Sequence, residues 1–416
     1  MDQNSPQPLT PIGTRLKPSW DLKPLGELCS KVSSGATPKG GATSYISSGV
    51  SFIRSQNVFD HSFSKAGLAN IDNDTARKLA NVEVKPRDVL LNITGDGDTI
   101  ARCCVVPEDI LPARVNQHLL IIRPQQGLVP EFLQRYLSHP LMREYMLNHN
   151  SGGSRRALTK GLVESFNIVL PPVREQQAIA EILGSLDDKI GANTKLAHTL
   201  ANLASAEFSR IYRQASDLKP LAELVSTQYG LTTSAHNGPG PRFLRVTDIN
   251  KKPWVEWATT PHCTVSDDVW PKYKVEPGDI LVARMADPGK AAFIDECGPE
   301  AVFASYLVRL KAKDPDLAMF IYYFLRSPSY SQYAAGATEG SVQKNMNARV
   351  IVGTEMATPS SRELARFNEA VSPLRQHIQK SLNQNLALAS THDALLPHLM
   401  SGTLRVEDAE ALVSAS

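Results

Sequence analysis

Between Pro171 and Arg213 apolar residues recur in steps of three and four: Ile179, Ile182, Leu183, Leu186, Ile190, Ala197, Leu200, Leu203, Ala204, Phe208 and Ile211. That spacing lays them along one face of a helix. Pro171 and Pro172 fix its start, because proline is tolerated only before or within a first helical turn. Gly184 and Gly191 are the only interior breakers, each costing up to ~1 kcal/mol relative to Ala. Forty residues of helix reach roughly 60 Å, which suits a coiled-coil strut better than an ordinary globular helix. A second stretch, Pro359 to Ser401, repeats the pattern with Leu364, Phe367, Val371, Leu374, Ile378, Leu382, Leu386, Ala389, Leu395 and Leu399. Arg174-Glu175 and Arg362-Glu363 open the two at matching places, and Pro373 predicts a kink or a short leading helix. A lone strut with one apolar face is unstable in water. The two are therefore expected to pack antiparallel, Leu186, Ile190 and Leu200 meeting Leu374, Ile378, Leu382 and Leu386.

What precedes each strut is a repeat. Lys23-Pro24-Leu25-Gly26-Glu27-Leu28 returns as Lys219-Pro220-Leu221-Ala222-Glu223-Leu224, and Phe52-Ile53-Arg54 as Phe243-Leu244-Arg245. Val84-Lys85-Pro86-Arg87-Asp88-Val89-Leu90 returns as Val275-Glu276-Pro277-Gly278-Asp279-Ile280-Leu281. Gly153-Ser154 returns as Gly340-Ser341, all at an offset of about 190 residues, which marks an internal duplication. Apolar runs such as Val89–Ile93, Leu119–Ile122, Ile280–Val282 and Tyr306–Val308 predict strands, and short helices flank them. The fold class expected is α+β: two similar mixed α/β domains separated by two long helices that form an antiparallel coiled coil. The boundaries read as a flexible N-terminal tail (1–20), a first domain (21–172), a first strut (173–215), a second domain (216–360), a second strut (361–402) and a C-terminal tail (403–416).

Charge narrows little: the net value is +2, so any basic surface must be local. The five cysteines, Cys29, Cys103, Cys104, Cys263 and Cys297, form no CxxC pair, so neither a zinc site nor a disulfide framework is expected. The N-terminus has no signal-peptide core, and no run of eighteen apolar residues appears, so a soluble cytoplasmic chain is expected. No P-loop, dinucleotide fingerprint, HExxH or GxSxG motif is present. Asp187-Asp188 could be imagined as a metal pair, but adjacent helical residues point about 100° apart. No catalytic or metal residue is assigned.

Polar loops remain, and they recur in both halves. In the first they supply Arg54, Gln56, Asn57, Thr94, Asn116, Gln117, Ser154 and Arg155; in the second Arg245, Thr247, Arg284, Lys290, Ser341, Gln343 and Lys344. Arg, Gln and Asn can pair bidentately with guanine or adenine edges, while Lys, Ser, Thr and glycine-rich backbone suit phosphates. Asn116-Gln117 is matched here to Ser305-Tyr306. These fifteen side chains are the candidate DNA contacts.

PPVREQQAIAEILGSLDDKI resembles the central conserved region of the specificity subunits of type I restriction–modification enzymes. LLPHLMSGTLRV resembles the end of their C-terminal conserved region. NVEVKPRDVLLNITGDGDTIAR, NQHLLIIRP and GGSRRALTKGLVESFNIVLPP resemble segments of their target-recognition domains. The likeness runs from about Trp20 to Val406, although the second strut opens with SSRELARFNEAVSPLRQ rather than a PPxxEQ-like segment. The resemblance implies a non-catalytic subunit that binds double-stranded DNA, each domain reading one half of a bipartite site. The struts would set the spacing and dock two methyltransferase subunits, with restriction/translocase subunits as further partners in a bacterial or archaeal cytoplasm. S-adenosylmethionine, ATP and Mg would belong to those partner chains, leaving this one with no cofactor and no membrane contact. Two alternatives stay open: a subunit of a methylation-only or differently cleaving system, and a coiled-coil scaffold that touches no DNA. A catalytic chain would be favoured by a methyltransferase Pro-Pro motif, which Leu170-Pro171-Pro172-Val173 does not match.

Overall fold

The computed structural model describes residues 10–13, 17, 19–95, 99–149, 157–296, 298–338 and 345–414. It divides into two compact units, Met1–Lys189 with Leu388–Ser416, and Ile190–Ala387. The division cuts through both long helices, so each unit contains one globular domain and a piece of each strut.

In the first unit two four-stranded sheets share a core. One has the order Cys29–Ser34, Leu119–Pro124, Val89–Asn92, Cys103–Val105, antiparallel throughout. Val89–Asn92 is buried along its whole length, which is why it reads as a continuous apolar run instead of an alternation. The other sheet has the order Ala69–Ile71, Val50–Ile53, Ala113–Val115, Glu83–Val84, with a parallel central pair in the register Phe52 to Arg114. A two-stranded ribbon, Asp21–Pro24 with Asn167–Leu170, joins the start of the domain to its end. Inside, Asp88 is fully buried and accepts from Arg123 Nε and Nη2, both at 2.7 Å.

The second unit repeats the plan. Its antiparallel sheet runs Val225–Tyr229, Leu307–Ala312, Ile280–Ala283, Ala291–Phe293. Its mixed sheet runs Ala235–His236, His262–Cys263, Arg242–Leu244, Ala301–Phe303, the last two parallel. Asp217–Pro220 pairs with Glu355–Thr358 as the closing ribbon. The buried ion pair returns as Arg309 Nη1 to Asp279 Oδ2 at 3.1 Å. The duplication read from sequence thus extends to the strand order of the antiparallel sheet, to the parallel pair and to a buried charge.

Both struts form as single helices, Val173–Tyr212 and Ser361–Ser401. The second runs unbroken through Pro373, contrary to the expected interruption. Pro373 is exposed, so the carbonyl that loses its amide partner can turn to water. In the second unit the helical segments are antiparallel: Asn193 bonds Gln384 and Asn385, Ala197 and Ala201 pack with Ile378, and Phe208 meets Phe367. Of the expected facing residues, Leu200, Ile378 and Leu382 pack together as anticipated, with Ala197 and Ala201 beside them, whereas Leu386 is exposed. Each strut is also anchored in a domain by a buried charge. Arg135 pairs with Asp187 in the first unit, and Arg375 donates to Asp295 at 2.8 and 2.6 Å in the second.

The two openings differ for a physical reason. Gln176 is buried and clamps the first domain, accepting from Val129 N at 2.8 Å and donating to Gly127 O and Pro171 O. Glu175 accepts from Trp20 Nε1 and Lys17 Nζ. At the second opening Ser360 and Glu363 form a reciprocal cap of the kind that starts helices independently of tertiary contacts. Neither terminus is a free tail where it is described. Thr10, Ile12 and Trp20 are buried, and Val406–Ser414 is a helix with Ala409 inside; burial of these apolar side chains outweighs the polar composition around them.

Candidate nucleic-acid interface

In the first unit the ends of four strands converge. Gly35, after Cys29–Ser34, lies so close to the chain that a Cβ there would sit 2.1 Å from Asn116 O. Asn116 N donates to Ile53 O, and Ile93 N donates to His118 O at 3.0 Å. Arg54, Thr94, Asn116, Gln117 and His118 are thereby gathered on one edge. Gln56 and Gln117 are exposed there. Arg54 stacks over Tyr45 at 5.2 Å and donates through Nη2 to Gly67 O. Thr94 Oγ1 and His118 Nδ1 share a hydrogen bond of 2.6 Å.

Two members of the sequence-derived set belong to the scaffold. Asn57 is fully buried: its Oδ1 accepts from Arg54 N, and its Nδ2 donates to Ser64 O and Ala66 O. Asn116 is buried, its Oδ1 accepting from His118 N at 3.2 Å. Asn57 thus spends both ends of its amide on local backbone, and Asn116 spends its oxygen there. Ser154 and Arg155, like Ser341, Gln343 and Lys344, lie outside the described residues.

The second unit builds the same edge with other side chains. A Cβ on Gly230 would sit 2.2 Å from Ala304 O, Ala304 N donates to Leu244 O, and Arg284 N donates to Tyr306 O at 2.9 Å. Asn116, Gln117 and His118 therefore correspond to Ala304, Ser305 and Tyr306, one residue away from the match made on sequence. Ile93 corresponds to Arg284, and Ser34 to Tyr229. Arg245 is spent locally: its Nε and Nη2 donate to the buried Asp248 carboxylate at 3.0 and 2.9 Å, and that carboxylate raises its pKa. In the first unit the residue at the Asp248 position is Asn57, so Arg54 has no such carboxylate. Thr247 and Lys290 are exposed. A cleft of about 420 Å³ lined by Asn250, Lys251, Asp287, Lys290, Arg326 and Thr338 flanks them. Sequence reading passed over Tyr229, Lys251 and Tyr306; the matched glycines at 35 and 230 are the signal that aligns the two edges.

His61, Asp187 and His392 bring donor atoms within 4.8 Å of one another. Arg135 Nη1 already donates to His61 Nδ1 at 2.8 Å and to Asp187. A metal ion there would meet a fixed cation, so the group is an ion-pair network. Asp188 points outward, as adjacent helical residues must. Burial pushes the thiols of Cys29 and Cys103 up to about 12, which removes the thiolate that redox or ligand chemistry needs.

The description "Type I restriction modification DNA specificity domain" matches residues 18–202. The HindI specificity subunit of Haemophilus influenzae is 21% identical over 85% of this chain and 94% of its own length. The MjaIX specificity subunit of Methanocaldococcus jannaschii is 22% identical over 96% of each. Both relatives are type I restriction enzyme specificity subunits, and the likeness to them runs along most of the chain. The S subunit of M. genitalium has the same fold, with a TM-score of 0.60 at 11% identity over 94% of this chain and 98% of that one. Among the described residues, no helix is long and apolar enough to cross a membrane.

Proposed function

We propose that this chain is a specificity subunit of a type I restriction–modification enzyme, which binds double-stranded DNA and selects a bipartite, asymmetric target, one half read by each domain. The long helices set the distance between the halves and offer docking surfaces for two methyltransferase subunits. Restriction subunits complete the enzyme. S-adenosylmethionine, ATP and Mg act on those partners, and this chain contributes recognition without catalysis. The observation that carries the reading is the pair of equivalent edges. One frame, fixed by Gly35 and Gly230, presents Arg54, Gln56, Thr94, Gln117 and His118 in one domain and Thr247, Arg284, Lys290, Ser305 and Tyr306 in the other. Identical scaffolds with unlike polar ends are what two different half-sites require, because base edges are distinguished by donor and acceptor pattern.

The test is a salt series of gel shifts with the methyltransferase partner present, together with methylome sequencing of cells with and without the gene. The expected result is a split methylated motif that disappears with the gene, and binding that weakens steeply with salt as phosphate contacts release counterions. The purified chain alone is expected to transfer no methyl group and hydrolyse no ATP. A salt-insensitive association with no sequence preference and no change in the methylome would leave a protein scaffold as the better account.

A further inference from the structure

Arg284 is held by an aromatic ring, whereas several other arginines of its unit are held by carboxylates. Arg245 is held by Asp248, Arg309 by Asp279 and Arg375 by Asp295. Arg242 Nη1 donates to Thr260 O and Arg326 Nη1 to Ala291 O. No acidic side chain among the described residues pairs with Arg284. Its guanidinium lies over the Tyr229 ring at 5.0 Å, and its Nη2 reaches Asn345 Oδ1 at 3.4 Å. Tyr229 is fixed in turn, since its hydroxyl accepts from Ala348 N at 2.9 Å. The backbone on either side is pinned: Arg284 N donates to Tyr306 O, and Met346 N donates to Arg284 O at 2.8 Å. The result is a cation with a fixed stem and a fixed plane, at the edge where Tyr229 and Tyr306 are exposed.

Holding a guanidinium by stacking has a specific consequence. A carboxylate partner would occupy the donor fork, whereas a ring beneath its face leaves the outer Nη1–Nη2 edge able to donate, although Nε is buried and Nη2 also reaches Asn345. A planar fork fixed in position matches the O6 and N7 acceptors of guanine in the major groove, the commonest specific arginine contact to DNA. Pre-fixing the plane also lowers the ordering cost of binding. At the corresponding positions the first unit has Ser34 and Ile93, and its stacked arginine is instead Arg54, over Tyr45 at 5.2 Å. We infer that Arg284, braced by Tyr229, reads one guanine in the half-site of the second domain. The inference rests on the DNA-reading proposal above and names the base and its reader.

The experiment uses the full chain in complex with its methyltransferase partner, first to define the methylated motif and then to measure binding to duplexes changed at each position. Arg284→Gln and Arg284→Lys are expected to lose roughly ten- to hundredfold of the preference at one G·C pair, confined to one half-site, while affinity for duplexes already changed there stays near the wild-type value. Replacing that guanine by 7-deazaguanine, which removes N7, should weaken the wild-type complex and leave Arg284→Gln unaffected. Tyr229→Leu keeps the arginine and removes its brace, so it should relax the same position to a smaller degree. A uniform loss across all sequences would make Arg284 a phosphate contact and overturn the inference, as would an unchanged motif in a folded Arg284→Gln complex; both leave the DNA-reading proposal standing. Absence of any sequence-dependent binding by the wild-type complex would remove both.

Discussion

Around Arg135 in the first unit, three histidines are packed where protonation is disfavoured. Burial, and then the neighbouring Arg135, hold His61 down to about 3. Burial, and then His392, hold His139 down to about 4, and burial lowers His392 as well. Asp187 is the carboxylate facing Arg135, and Asp393 is bonded to His392. In the unfolded chain the same imidazoles take up protons near 6.5. Between those values the unfolded state binds more protons, so stability rises with pH across the window. The contribution is full above about 6.5 and is lost as pH falls towards 4 and then 3. His139→Asn retains an acceptor for the Leu141 amide that His139 Nδ1 now holds at 3.1 Å and removes the titration. Its melting temperature should fall less than that of the wild type between pH 6.5 and pH 4. Parallel melting curves for the two proteins across that range would show that His139 is not the group responsible.

At the level of the helices, the pairing is fixed by a polar layer as well as by apolar contacts. Asn193 is buried and donates to Gln384 Oε1 and Asn385 Oδ1, each at 2.9 Å, while Asn385 Nδ2 donates to Thr194 Oγ1 and Ile190 O. A buried amide that can be satisfied in only one alignment specifies register at some cost in stability. Asn193→Ala is therefore expected to cost about 1–2 kcal/mol by leaving two acceptors without their donor. Changing Asn193, Gln384 and Asn385 together to leucine should recover most of that. Chemical denaturation of the full chain checks both, and an unchanged midpoint for Asn193→Ala would refute the role. This layer was invisible in the sequence, where polar residues at helical spacing read as solvated. The struts themselves were legible because a period of three and four is a direct image of a buried face. Their partners were less so, since Ala197, Ala201 and Ala204 allow the close approach and alanine adds little to a periodic signal. The candidate edge was found by residue type, so it gathered Asn57 and Asn116, whose side chains serve the backbone. It also missed Tyr229, whose use depends on Arg284 folding over it. Matching by likeness placed Asn116 against Ser305; the hydrogen-bond frame moves it to Ala304.

For the whole molecule, the proposal that the struts measure the gap between half-sites makes the place of an insertion decisive. Sequence reasoning suggests four residues added to the first strut near Arg210. In the structure Phe208 and Ile211 belong to the core of the second domain together with Phe367 and Val371 of the other strut, so an insertion there separates the helix end from that core. The division between the units falls instead at Lys189/Ile190 and Ala387/Leu388, beside the Asn193 layer, where few apolar side chains are buried. Because the helices are antiparallel, lengthening one alone slips the pairing on one side of the insertion. Matched seven-residue insertions at both points keep the coiled-coil period and return each face to its partner. Each adds roughly 10 Å at about 1.5 Å per residue, and base pairs along one strand are about 3.4 Å apart. The doubly inserted subunit, expressed with its methyltransferase partner, should then methylate a motif whose spacer is longer by about three base pairs and whose half-sites are unchanged. Sequencing the methylome reads both properties at once. An active variant with the original spacer would refute the ruler, and an active variant with altered half-sites would assign base reading to the helices themselves.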